Sequence, residues 1–239
     1  MKELRIVSYN VQHFLNFYSR KITFDPFAET IREMNPDIIG LQEINGALDG
    51  SAEYRPQAMI MGEMLGYNYY FAEAIKFGGI KPYGVALLSK YPVISAENHH
   101  IPDPEPRKYN GYYETRTVLK ARIDIGEEKP LLVLVSHFGL NPDEHELCSQ
   151  SAISHIENER CVLMGDFNMR PDNPLICNIR ARIHDTADEL GENVLSFPSD
   201  KPVEKIDYIF TSPDITVRHA DIPATVVSDH RPYICDVTV

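Results

Sequence analysis

The sequence predicts an α/β fold in which two packed β-sheets carry helices on their outer faces, and two observations predict it. The first is a series of short apolar runs with alternating or β-branched character: LRIVSY (4–9), DIIGLQ (37–42), YNYYFAEA (67–74), GVALLS (84–89), TVLKARI (117–123), LLVLVSH (131–137), RCVLMG (160–165), KIDYIF (205–210), DITVRHA (214–220) and YICDVTV (233–239). So many strands overfill one ordinary sheet and are expected in two sheets packed face to face. The second is helical spacing between them. Phe27, Ile31 and Met34 share a face before Asn35-Pro36, and Met59, Met61, Met64 and Leu65 supply another before Gly66. Asn141-Pro142-Asp143-Glu144 then offers a cap, a first-turn proline and first-turn acids ahead of Leu147, Ile153 and Ile156. Helices placed this way cover the outer faces of the sheets.

No linker, repeat or low-complexity tract interrupts the pattern, so residues 1–239 read as a single domain. The stretch ENHHIPDPEPRKYNGYYETR (97–116), with its prolines and polar residues, reads as a long loop, a kind of segment that often carries function. The N-terminal MKELRIVSYN enters an alternating strand pattern without the apolar run of a signal peptide, and no segment reaches membrane-spanning length. Cys148, Cys161, Cys177 and Cys235 are scattered, with no CxxC pair, and read as reduced thiols. A cytoplasmic protein is expected. Lys and Arg number 23 against 35 Asp and Glu, a net charge of −12, which opposes extended contact with a polyanion and disfavours long nucleic acid as a partner without excluding it.

The apolar strands repeatedly finish in polar residues. LRIVSYN ends at Asn10, IIGLQE at Glu43, LLVLVSH at His137, and CVLMGDFN at Asp166 and Asn168; KIDYIF carries Asp207, and VVSDH brings Asp229 and His230 ahead of the last strand. A buried charge costs several kcal/mol unless paired or metal-bound, so each needs a partner. Taken singly, each has an ordinary structural reading. If strand ends converge, carboxylates, amides and two histidines meet in one place, the composition of a hard-cation site with acid/base groups beside it. Carboxylates and amides without a His triad or Cys cluster favour Mg²⁺ or Mn²⁺ over structural zinc. Such a set suits hydrolysis of a bond whose transition state gathers negative charge. Strand alternation is expected to turn Asp166 and Asn168 the same way with Phe167 toward the core, and Gly165 to leave room for a substrate.

SYNVQ (8–12), LQEI (41–44), SHFGL (136–140), GDFNMRP (165–171), KIDYIF (205–210) and SDHRPYICDV (228–237) together resemble the endonuclease/exonuclease/phosphatase superfamily, whose motifs they match in order. The resemblance implies a deoxyribonuclease-I-like four-layer αββα sandwich of two mainly antiparallel sheets with the site at one end. It implies Glu43 as principal metal ligand, with Asn10 beside it and Asp229 completing the acidic site. Asp166 and Asn168 would position the attacking water and a phosphate oxygen, Asp207 would orient His230, and His137 would face the scissile phosphate, supported by Glu73. Arg116 would reach the phosphate. Gln12 replaces an aspartate found in some DNA-repair members, so a second metal ligand is not expected there. The segments SHFGLNPDEHELCSQ and SFPSDKPVEKIDYIF look most like the small hydrolase branch near sphingomyelinases.

The expected activity is therefore divalent-metal-dependent phosphoester hydrolysis, on a small phosphodiester or a lipid headgroup, with local positive charge from Arg116, Arg107, Lys108 or Arg170. A metal-dependent nuclease on DNA or RNA is the alternative; a phosphomonoesterase and a non-catalytic binding protein are the remaining readings. The sequence leaves the number of metals and the oligomeric state open.

Overall fold

The computed structural model describes residues 1–47, 55–191 and 194–239. Its strands are β1 (Glu3–Asn10), β2 (Ile38–Asn45), β3 (Asn68–Phe77), β4 (Lys81–Ser89), β5 (Val93–His100), β6 (Thr117–Ile123), β7 (Leu131–His137), β8 (Cys161–Asp166), β9 (His184–Asp185), β10 (Asp207–Thr211), β11 (Thr216–Asp221) and β12 (Tyr233–Thr238). The helices are α1 (Asp25–Met34), α2 (Gln57–Leu65), α3 (Pro142–His155) and α4 (Pro174–Arg180). Two six-stranded sheets result, ordered β11-β12-β1-β2-β4-β3 and β5-β6-β7-β8-β10-β9. β1 pairs with β2, and β7 with β8, in parallel; every other strand pair is antiparallel.

Alternation along the strands builds the layers. In β1, Leu4 and Ile6 enter the core between the sheets, where they join Val133, Val135 and Met164; Val7 and Tyr9 point the other way, onto Phe27, Ile31 and Met61 of α1 and α2. In the second sheet Leu132, Leu134 and Leu163 pack outward on Cys148, Ala152, Ile176 and Ile179 of α3 and α4. The order of layers is helix, sheet, sheet, helix, as expected.

Three local expectations need correction. β5 extends over 93–100, so residues 97–100 are strand and the long loop is confined to 101–116. This strand closes the edge of its sheet and exposes much of VISAENHH to water, so it has no apolar run to reveal it. α4 spans seven residues, too few for a periodic stripe; the Asn173 side chain caps it by accepting from the Leu175 N–H, with Pro174 in its first turn. Gly165 serves strand packing rather than substrate approach. Its φ is 154°, and a Cβ there would lie 1.9 Å from the Ser136 carbonyl oxygen of the neighbouring β7.

Candidate active site

Strand register assembles the site. β7 runs beside β8 so that His137 is opposite Asp166, and antiparallel β10 places its first residue, Asp207, opposite Asp166 from the other side. One row across three strands thus carries an imidazole and two carboxylates. In the other sheet Asn10 is opposite Gln42, so Glu43 emerges one residue further along β2. The register of β2 against β4 shifts between Leu41 and Ile44, and at this irregularity Glu43 takes a left-handed φ of 61°. Gln12 and Asn168 are left-handed too, at 42° and 50°. Such conformations cost non-glycine residues about 1–3 kcal/mol each and persist only where surrounding contacts enforce them.

Asn10 joins the two halves. Fully buried, it donates through Nδ2 to Glu43 Oε1 at 3.1 Å and to Asp166 Oδ2 at 3.0 Å, while its Oδ1 accepts the Gln12 N–H. The other Glu43 oxygen accepts from the Tyr83 hydroxyl at 3.0 Å. Gln12 donates through Nε2 to Asp229 Oδ2 at 2.7 Å, and its own Oε1 is buried without a partner among the described residues. Across the pocket Asp166 ends β8, and its Oδ1 accepts the Asn168 N–H at 3.0 Å. That turn, not strand alternation, aims Asn168 into the pocket. Phe167 is buried as expected, stacked on Phe138 with ring centroids 4.1 Å apart.

The two histidines sit in opposite electrostatic settings. His230 Nδ1 is 2.9 Å from Asp207 Oδ2 and its Nε2 is 3.5 Å from Asp166 Oδ2. Burial alone lowers the basicity of His230, yet the charges of Asp207 and Asp166 overcome it and push the imidazole up to about 10. Asp166 is pushed up to about 7 by burial, with Asp207 adding to the rise and His230 opposing it. His137 is held well below the usual imidazole range by burial and then by Arg116. Arg116 Nη1 lies 3.0 Å from His137 Nδ1, and a guanidinium can only donate. Nδ1 therefore faces a donor, while Nε2 lies 3.2 Å from the Asn168 amide nitrogen and 3.6 Å from Asp166 Oδ2.

A pocket of about 260 Å³ opens onto these groups, lined by Glu43, Arg116, His137, Asp166, Asn168, Asp229 and His230 from the expected set. Asn10 and Asp207 lie fully buried behind it. Glu73 is elsewhere: its carboxylate pairs with Lys76 at 3.7 Å. Arg116, not Glu73, contacts His137 Nδ1, and the carboxylate beside Arg116 is Glu114 at 2.7 Å. The pocket also has lining residues absent from the expected set, namely Tyr83, Tyr112, Glu114, Leu140 and Phe197. ETR (114–116) carried a signal for Glu114, since alternate residues ahead of a strand share a side. Phe197, whose ring lies 4.7 Å from that of His230, arrives on a loop with no strand pattern.

Two groups of side chains could hold a cation. Asp166, Asp207 and His230 bring one atom each within 4.8 Å of one another, but His230 already bridges the two acids. Glu43 and Asp229 form the more open set. Among the described residues only the neutral donors Asn10 and Tyr83 hold Glu43, and Asp229 is raised by burial, then by the charge of Glu43. Two carboxylates destabilising one another beside the unpartnered Gln12 Oε1 are the oxygen-rich surroundings that a hard divalent cation relieves.

The Endonuclease/Exonuclease/phosphatase family model matches residues 7–230. No curated protein sequence matches the chain. Among solved structures, an endonuclease/exonuclease/phosphatase from Beutenbergia cavernae superposes with a TM-score of 0.80 at 18% identity, covering 100% of this chain and 72% of that one. A mannosyl-6-phosphatase of Bacteroides thetaiotaomicron gives 0.76 at 15% identity, covering 99% and 100%. The human Nocturnin catalytic domain, solved with a bound sulfate anion, gives 0.71 at 17% identity, covering 99% and 93%.

Proposed function

The chain belongs to the endonuclease/exonuclease/phosphatase family, and from that premise we propose that it is a divalent-metal-dependent phosphodiesterase acting on a small substrate or a lipid headgroup. The observation that carries this reading is the division of the site between open carboxylates, Glu43 and Asp229, and a second group in which Asp166 is faced by His137 and His230, the latter hydrogen-bonded to Asp207 behind the pocket. Mg²⁺ or Mn²⁺ would be held by Glu43 and Asp229 beside Asn10, and when bound it would draw charge from a phosphate oxygen and the leaving group.

The chain's own groups carry the proton chemistry. Asp166, fixed at both oxygens by Asn10 and by the Asn168 N–H, takes the proton of the attacking water. His230, kept cationic by Asp207, balances the charge that develops beside Asp166. His137, kept neutral, and the Asn168 amide beside its Nε2 face the pocket where a non-bridging phosphate oxygen would lie. Asn10 holds Glu43 and Asp166 in fixed relation and acts as a positioning residue. The net charge of −12 and the confined pocket support a compact substrate over a long nucleic acid.

The test is a Mg²⁺- and Mn²⁺-dependent screen of a generic phosphodiester, phosphomonoesters, sphingomyelin and plasmid DNA, with Glu43→Ala as control. Diester hydrolysis lost on chelation and in the variant is the expected result. Hydrolysis of monoesters alone overturns the diester preference, and salt-sensitive nicking of plasmid transfers the reading to a nuclease.

A further inference from the structure

The buried guanidinium of the pocket comes with its own counter-charge. Glu114 and Arg116 are 8% and 6% exposed, two residues apart, and Glu114 Oε1 lies 2.7 Å from Arg116 Nη1. Both line the pocket. A buried arginine needs neutralising, but a partner behind it would serve that purpose as well as one on the pocket wall.

Glu114 is also held firmly. Its N–H donates to Glu144 Oε1 at 3.2 Å, and the carbonyl of Tyr112 accepts from Asn141 Nδ2 at 2.8 Å. Further back in the same loop Asp143 accepts the Lys108 N–H at 3.0 Å and the Tyr113 hydroxyl at 2.9 Å. The first turn of α3 thus clasps the loop ahead of β6 and fixes the carboxylate against the arginine.

Resting on the phosphoester reading of this site, we infer that Glu114 is a specificity-determining residue: its charge offsets Arg116 so that the pocket accepts a phosphate bearing one negative charge, a diester, and disfavours a dianionic monoester. Beside this pair the pocket wall carries three further carboxyl groups, Glu43, Asp166 and Asp229, and the imidazole of His230 is already engaged by Asp207 at 2.9 Å. With Glu114 answering part of its charge, Arg116 together with a bound divalent cation is matched to one negative charge on the substrate. The second charge of a monoester meets Glu114 with no further cation to answer it. At an effective interior dielectric of ~20, one unit charge a guanidinium's length away changes the discrimination by ~10- to 100-fold.

The experiment compares wild type with Glu114→Gln, Mg²⁺-loaded at pH 8, on bis(p-nitrophenyl) phosphate and p-nitrophenyl phosphate. In parallel, calorimetry measures binding of dimethyl phosphate and of inorganic phosphate. The expected result is a diester-to-monoester ratio of kcat/KM that falls ~10-fold or more in Glu114→Gln, with phosphate binding tightened by a similar factor relative to dimethyl phosphate. Equal changes for both charge types, or none, overturn the inference. Leu140 lines the same pocket and is exposed, so Leu140→Lys and Leu140→Glu test the charge argument without touching the buried pair. The first lowers the ratio and the second raises it; shifts in the same direction overturn the inference even if Glu114→Gln does not fold. If wild type hydrolyses neither ester while the binding preference still shifts, the phosphodiesterase reading fails and the charge role of Glu114 stands.

Discussion

The two sheets repeat one construction and put it to different uses. In each, a parallel pair is joined through a helix, β1-α1-β2 in one and β7-α3-β8 in the other, and polar residues appear where the parallel strands end. The first pair carries Asn10 at the end of β1 and Glu43 just before the end of β2, and the second ends in His137 and Asp166. In the first, the contacts of Glu43 among the described residues are neutral donors, so its charge is left open to a cation. In the second, Asp166 is faced by two imidazoles and shares its row with Asp207. On the proposed function, carboxylates of similar chemistry divide into a cation-holding set and a proton-handling set according to what surrounds them.

Removing one member of either set gives the largest effect. Glu43→Ala and His230→Ala are each expected to lower kcat by ~10²–10³-fold, the usual loss for one charge-stabilising group. They differ in a second readout: Glu43→Ala also abolishes the rise in melting temperature on adding Mg²⁺, whereas His230→Ala keeps it. Loss of the Mg²⁺ response in both variants would merge the two sets into one.

The next effect is on pH dependence. Asp166 must be ionised to accept a proton, so kcat/KM rises with pH along a limb at or below about 7, because a bound cation favours the carboxylate. His230 must stay protonated, so activity falls again toward about 10. These limbs belong to the coupled set rather than to single residues. Asp207→Asn removes the largest of the charges that raise His230, so the falling limb moves to lower pH while the rising limb stays within the acid range. A falling limb unmoved in Asp207→Asn would separate His230 from the reaction.

A smaller effect tests the clasp at the start of α3. Glu144 accepts from Glu114 N, Leu140 N, Asn141 N and Asn141 Nδ2, at 3.2, 3.2, 3.1 and 2.7 Å. Glu144→Gln keeps the shape but loses the charged acceptor, and about 1–3 kcal/mol of stability should go with it, read by denaturant unfolding. KM is expected to rise several-fold with a smaller change in kcat, since the clasp places Glu114 and Arg116 rather than the proton-handling residues.

How far this comparison was legible in the sequence depends on what positions each residue. His137, Asp166 and Asp207 terminate or begin strands whose apolar cores announce themselves, so their convergence follows from sheet register; Glu43 follows a similar run, but β2 continues to Asn45 and Glu43 sits at its irregularity. Asn168 was legible as a neighbour of Asp166, but its orientation comes from a left-handed residue and an Asx turn, which alternation does not anticipate. Glu114, Tyr112 and Phe197 reach the pocket on loops, and their place depends on α3 and on the segment ahead of β10. β5 escaped notice because an edge strand with a wetted face needs no apolar run.

The smallest expected effect concerns Glu73, which the family resemblance set behind His137. In the fold it occupies the middle of edge strand β3, and its carboxylate turns to Lys76, itself half-exposed. Its backbone carbonyl accepts from Asn98 Nδ2 of the other sheet at 2.6 Å, and an alanine keeps that oxygen. Glu73→Ala should therefore change stability by less than about 0.5 kcal/mol and kcat by less than ~2-fold, since a solvent-screened ion pair contributes little. Arg116→Ala is the contrasting variant: it removes the guanidinium that contacts His137 Nδ1 and strands Glu114 as a buried carboxylate, so both rate and stability fall. If Glu73→Ala instead reproduced the loss seen on replacing His137, support for that histidine would come from β3, and the role assigned to Arg116 would be wrong.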